Sequence, residues 1–368
     1  GFTETKHYAH RQNLPPYQDA ALHIYDAVDY ALNAFDVPFV GYGGEDDPQL
    51  QASVNIRRQL VREGFRPGDL RVLFLVGPHT KHKFHPDSKA ESDKFIDSVL
   101  EKGRQAPDHI RFVTYTMRYN KCFWVEIEGL KKHYERAEVE ASRQGDTFRI
   151  HATNVTRLLV EGKPWVAGAD GIWTPASSAG EGQQHTLGKV HGLQGPIDDA
   201  FMDAFLCVRP TAKSRYPIVN QHALKVLDQF AAVYAKYFRG DVRIKDDRAI
   251  TRDDIASNNL ILFGDPSSNR VLARIASKLP VQWKGSEIVV GEHKYAAADH
   301  MPVLIYPNPL NPKRYVVLNS GHTFGEADLK GTNALLYPRL GDYAVIDLSK
   351  TEPQVAEAGL FTDAWTLP

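Results

Sequence analysis

Apolar runs of strand length alternate with helix-period stripes through the first hundred residues, and this alternation restricts the possible folds more than any other feature of the chain. Ile24, Val28, Ala31 and Leu32 recur at helical spacing, and the short run Val37 to Val40 follows. Pro48 to Glu63 reads as a helix, Val72 to Val76 as a second apolar run, and Phe95, Ile96, Val99 and Leu100 as one stripe of a further helix. Strand, helix, strand, helix is the order of a parallel α/β sheet.

From about residue 108 the pattern changes. Ile110 to Tyr115 and Cys122 to Ile127 are rich in aromatic and β-branched residues, and Phe123, Val125 and Ile127 alternate with Trp124 and Glu126. Val139 to Ala141, Thr147 to Ala152 and Val155 to Val160 continue a β-sandwich-like stretch, and the Gly-rich segment Ser177 to Gly188 reads as a mobile loop. Helix and strand alternate again from about 196. Ala223, Leu227, Phe230, Tyr234 and Tyr237 form a long amphipathic helix closed by Gly240. Apolar runs follow at Leu260 to Phe263, Ile288 to Val290, Val303 to Tyr306, Tyr315 to Leu318 and Tyr343 to Ile346. The expected organisation is therefore an α/β segment over 1–105, a β-sandwich-like domain over 106–195 and a C-terminal α/β, Rossmann-like domain over 196–368.

Charge narrows the partners. With 44 Lys+Arg against 45 Asp+Glu and no basic run, the chain lacks the footprint of a nucleic-acid or anionic-membrane binder, and a small or neutral substrate fits better. No apolar stretch approaches the roughly 18 residues that span a bilayer. Cys122 and Cys207 are the two cysteines, without metal-binding spacing, and their pairing is open. Asn154-Val155-Thr156 has the form of a glycosylation sequon.

Two loops carry the sharpest chemical signal. After Val40 the chain reads Gly41-Tyr42-Gly43-Gly44-Glu45-Asp46-Asp47-Pro48, and after Val76 it reads Gly77-Pro78-His79-Thr80-Lys81-His82-Lys83-Phe84-His85-Pro86. An acid loop and then a histidine loop, each at the carboxyl end of a strand, is how an α/β hydrolase presents the last two members of a Ser, Asp, His triad. There a carboxylate holds an imidazole in one tautomer while the other ring nitrogen takes a serine proton. Other readings stand beside this one. Asp46 or Asp47 could cap the following helix, the histidine loop could be a solvated surface, and His79, His82 and His85 could converge on a metal ion, although no cysteine or carboxylate cluster accompanies them. No cofactor and no metal site is called for.

No serine has the Gly-x-Ser-x-Gly frame of a nucleophile elbow; the nearest imitation, Asn319-Ser320-Gly321-His322, has Leu318 where the elbow has Gly and follows the acid and the histidine. Gly264-Asp265-Pro266-Ser267-Ser268-Asn269 reads as a capped turn, and Gly195-Pro196-Ile197-Asp198-Asp199-Ala200-Phe201 as a domain-junction turn opening a helix, its acids near the positive dipole end.

Taken together, Gly1-Phe2-Thr3-Glu4-Thr5, the Gly44-to-Gln49 loop and the loop Gly77-Pro78-x-Thr80-x-His82-x-x-His85-Pro86 resemble the C-terminal half of prolyl oligopeptidase-like α/β hydrolases, large bacterial members in particular. Ile110-Arg111-Phe112-Val113-Thr114-Tyr115-Thr116, the Gly195-to-Phe201 turn, Tyr306-Pro307-Asn308-Pro309 and Asn319-Ser320-Gly321 resemble the long C-terminal extensions of those members. The resemblance implies an incomplete α/β-hydrolase half and selects Asp47 over Asp46 and His82 over His79 or His85. It implies acyl transfer on an ester or peptide bond, with the nucleophilic Ser on an upstream segment or a partner fragment that stays bound, and an extracytoplasmic location. A non-catalytic binding or scaffold protein that keeps a structural hydrolase remnant is the alternative.

Overall fold

The computed structural model describes residues 4–8, 13–66, 68–101, 103, 105–176, 187–331 and 333–368, so most of the Ser177 to Gly188 loop and the Gly1-Phe2-Thr3 end of the resemblance lie outside the described residues. The chain mixes helix with several sheets. It forms two compact units, one of residues 1–12 and 22–183, the other of residues 13–21 and 184–368.

The first unit opens with helix α1 (Thr5–Tyr8), while α2 (Pro16–Ala21) belongs to the second. The helical stripe after it folds as tight 3₁₀ turns over Leu22–Ile24 and Ala27–Phe35, burying Leu22, Ile24, Ala31 and Leu32. Strand β1 (Phe39–Gly44), helix α3 (Leu50–Arg62), strand β2 (Val72–Gly77) and helix α4 (Pro86–Leu100) then follow in the order that the sequence pattern predicts, although β1 begins two residues after Val37 and takes in Gly41 to Gly44, which read as loop. β1 and β2 pair in parallel, Phe39 opposite Val72 through Gly44 opposite Gly77, and form a sheet of two strands. This layer is thinly covered. No side chain of Val72 to Val76 is fully buried, Val76 is 52% exposed, and α4 buries only Ser88 and Ser92 while Leu100 stands 64% exposed.

The same unit carries two antiparallel sheets. β3 (His109–Thr114), β6 (Ala137–Gln144) and β7 (Thr147–Thr153) make one, in the order β3-β6-β7. β4 (Lys121–Cys122), β5 (Val125–Leu130), β8 (Val155–Val160), β9 (Lys163–Ala167) and β10 (Trp173–Pro175) make the other, in the order β10-β9-β8-β5-β4. Alternate residues of both point into one core that includes Ile110, Val139, Ile127 and Leu158. Asn33 locks the 3₁₀ turns onto β3 through both its amide groups, to Val113 N–H and Val113 C=O. Arg136 on the β side grips Glu63 at the end of α3 with two 2.9 Å hydrogen bonds. Burial alone would push the Glu63 carboxyl up, but these bonds outweigh it and hold it below its usual range. Asn154, of the sequon, is a left-handed turn residue whose amide donates to the Lys132 and Glu135 carbonyls.

The second unit is built on a seven-stranded sheet in the order β12-β11-β13-β18-β17-β19-β20. β11 (Phe205–Arg209), β12 (Ile244–Asp246), β13 (Asn259–Leu262) and β18 (Asn311–Leu318) run parallel. β17 (His300–Asn308), β19 (Tyr343–Asp347) and β20 (Gln354–Gly359) continue antiparallel, so the sheet is mixed. Between β13 and β17 in sequence, β14 (Gln282–Lys284), β15 (Glu287–Val290) and β16 (His293–Ala296) form a separate three-stranded meander. Every residue of β13 is buried, as expected of a strand covered on both faces.

Helix α5 (Pro217–Phe238) begins with Pro at its first turn and buries Val219, Ala223, Leu227 and Phe230 along one stripe. Its left-handed cap is Arg239 at φ +61°, one residue before the Gly240 that the sequence suggested. Helix α6 (Arg252–Ser257) starts with a reciprocal Thr251–Asp254 cap, and α7 (Arg270–Ile275) with Asn269 accepting from the Val271 and Leu272 N–H groups. Within this unit the fully buried Lys189 ammonium meets Asp342 at 2.6 Å, and Asp342 also accepts from the Phe361 N–H.

Candidate functional site

The acid and histidine loops leave the carboxyl ends of β1 and β2 side by side, because the two strands are parallel and in direct register. Backbone bonds then stitch the loops together: Glu45 N–H donates to Gly77 C=O at 2.8 Å and Asp46 N–H to Thr80 C=O at 3.1 Å. The approach demands Gly44, since a Cβ there would lie 2.1 Å from the Thr80 carbonyl oxygen and 2.3 Å from that of Lys81. Tyr42 on β1 supports the far side of the histidine loop. Its hydroxyl donates to Lys83 C=O and accepts from His85 N–H, and its ring stacks on Phe84 at 3.9 Å.

In this frame Asp47 and His82 meet, with His82 Nδ1 2.8 Å from Asp47 Oδ2. Asp47 accepts a second bond at Oδ1 from the Gln49 N–H. That N–H first, and the His82 contact second, hold the Asp47 carboxyl below the usual carboxylate range. An ionised carboxylate only accepts, so Nδ1 carries the ring proton and Nε2 presents its lone pair outward. The His82 side chain is 76% exposed and that of Asp47 10%, which leaves the imidazole open to an incoming group while its anchor is held. No serine hydroxyl among the described residues bonds to His82.

The neighbouring residues take other partners. His79 donates its backbone N–H to Glu45, whose carboxylate also lies 3.5 Å from the His79 ring, and His85 stands at the N-terminal cap position of α4. Among the described residues no group of three or more His, Cys, Asp and Glu is placed to hold a metal ion. Asp47 bonds the Gln49 N–H, but the cap residue of α3 is Gln49 itself.

The remaining candidates fall in the second unit. Asn319 adopts φ +52° and its side chain ties Gly264 to Pro302, while Ser320 Oγ donates to the Gly321 carbonyl at 2.9 Å and bonds to no imidazole among the described residues. Asp265 is absorbed by Ser214, Ser267 and Ser268. The acids at 198 and 199 are buried within their 3₁₀ turn and take tertiary partners: Asp198 accepts from the Thr323 N–H and hydroxyl, Asp199 from Gln194 and Tyr315. Cys122 and Cys207 are not joined in a disulfide. Among the described residues no helix is long and apolar enough to cross a membrane.

No family model, curated protein or solved structure matches the chain.

Proposed function

We propose that Asp47 and His82 are the acid and the general base of a serine hydrolase of the prolyl oligopeptidase-like kind, acting outside the cytoplasm on an ester or peptide bond. The observation that carries the reading is the 2.8 Å contact between His82 Nδ1 and a carboxylate, with Nε2 open. Asp47 fixes the tautomer and stabilises the imidazolium. His82 takes the proton of a serine hydroxyl as that oxygen attacks the acyl carbon, then returns it to the leaving group; water repeats the cycle to release the acid.

The serine comes from another segment or polypeptide. Two features support a docked partner of this kind. β1 pairs on one side only among the described residues, which leaves a row of backbone groups able to accept another strand. The exposed Val76, Ile96 and Leu100 are the surface such a partner would cover.

The test begins with the denatured mass of every polypeptide in the purified sample, followed by fluorophosphonate labelling. The expected result is a labelled serine outside this chain, on a fragment that co-purifies. In the labelled complex, His82→Ala and Asp47→Asn should each lower the hydrolysis of p-nitrophenyl butyrate by roughly 10³-fold or more. Undiminished turnover in His82→Ala would remove the catalytic reading and leave a binding or scaffold protein with a hydrolase-like layer.

A further inference from the structure

A second acid–imidazole arrangement stands in the second unit, beside a cavity of about 440 Å³ at the carboxyl end of β18. The cavity is walled by Val226, Met301, Val303, Leu340 and Ile346, and its polar lining includes His222, Ser320, His322 and Arg339. Among the described lining residues there is no Asp or Glu, whereas there are two imidazoles and a guanidinium. Arg339 is already held by Asp328 at 2.8 Å, and the polar side chains that line the cavity beside it include those of His222 and His322 together with Tyr17, Gln18, Thr323 and Gln354.

His322 is fixed tightly. Phe201, Phe230, Phe238 and Phe324 surround its ring at centroid distances of 4.7 to 5.5 Å. Its Nδ1 is buried without a hydrogen-bond partner, 3.7 Å from Asp198 Oδ1, so Nε2 is the nitrogen that reaches open space. The left-handed Asn319 turns the chain at this point, and the N–H groups of Ser320, Gly321 and His322 find no acceptor among the described residues. Gly321 permits the packing, because a Cβ there would fall 2.4 Å from the Phe230 ring. Successive free N–H groups on a turn, imidazoles beside them and apolar walls are together the recognition elements for a small anion with an apolar body.

We infer that this cavity binds a short-chain carboxylate, its head on the Ser320–His322 turn and the two imidazoles and its tail against the aliphatic wall. The site shares no residue with the Asp47–His82 pair and stands whether or not that pair is catalytic. Calorimetric titration of the full chain with hexanoate should show one saturable site, with hexanamide at least about tenfold weaker, since it lacks the charge that strengthens hydrogen bonds from the turn N–H groups. His322→Phe, which extends the aromatic box, should weaken hexanoate about tenfold. A measurement on the unaltered protein guards against misfolding of that variant. Hexanoate should slow diethylpyrocarbonate modification at His222 and His322, read by peptide mass, and leave the exposed His79 and His82 unprotected. Equal affinity for hexanamide, no saturable binding, or protection absent from His222 and His322 would overturn the inference.

Discussion

The β1–β2 layer of the first unit and the seven-stranded sheet of the second are written in the same alphabet of short apolar runs, yet they end in opposite states. Asn259 to Leu262 of β13 are all buried, whereas Val72 to Val76 of β2 are partly or well exposed. The acid–base contacts differ in the same way. Lys189 and Asp342 are wholly buried in the second unit, while His82 lies on the surface of the first. One sheet has its cover within its own unit and uses its ion pair to fix a tail. The other is thinly covered and holds an imidazole where a partner or substrate can reach it.

The largest expected effect breaks this contrast from the buried side. Lys189→Met should cost roughly 3–5 kcal/mol, because Asp342 is left as an uncompensated buried charge. Hydrogen exchange of the β13 and β18 amides should report the loss, since exchange resolves the two units separately. Leu262→Ala, at a fully buried position, should cost about 3 kcal/mol by the same measurement. The counterpart Val76→Ala in β2 should stay within about 0.5 kcal/mol, being half exposed. A large loss at Val76 would mean that the β1–β2 layer is more fully covered in solution than its exposed side chains indicate.

A smaller effect sharpens the comparison through pH. Burial pushes the Asp36 carboxyl of the first unit up to about 6, against the bonds that it accepts from the Arg111 N–H and the Cys122 thiol. The folded state therefore holds this proton more tightly than the unfolded chain. Its stabilising effect is complete below about pH 4 and is lost as pH rises through about 6. Asp36→Asn should accordingly raise stability at pH 8, by on the order of 1 kcal/mol once solvent screening of a partly exposed group is allowed for. It should also flatten the slope between pH 4 and 6, read from chemical denaturation of the first-unit amides by exchange. A slope that persists unchanged would assign it to another group, with Asp26, also raised to about 6 by burial, next in line.

Much of the first unit is legible because its signals are local. Helical stripes and apolar runs are properties of ten or so neighbouring residues, so the order β1, α3, β2, α4 can be read directly, and with it the placement of two loops at two carboxyl ends. The helix expected over Ile24 to Leu32 instead folds as 3₁₀ turns, where packing against β3 through Asn33 outweighs the spacing of the apolar residues. β11 has no such local signature. Five residues with a terminal Arg are too few for a periodic signal, and Leu206, Cys207 and Val208 declare themselves as core only between β12 and β13.

The choice of Asp47 and His82 rests on loop order and on a resemblance, both present in the chain itself. Their contact needs the third dimension: 35 positions separate them, and a one-residue change in the register of β1 on β2 would part the loops. The Asp198–His322 arrangement is invisible at any level of pattern, since the two residues lie far apart in the chain and the acid at 198 reads as part of a dipole-matched helix start. Sequence by itself determined the alternation of elements and which residue types line the loops, because propensity and hydrophobic period act between near neighbours. Tertiary structure alone decided which sheet is covered, which acid is buried and which imidazole is left open, because burial and proximity are set by chain segments far apart in sequence.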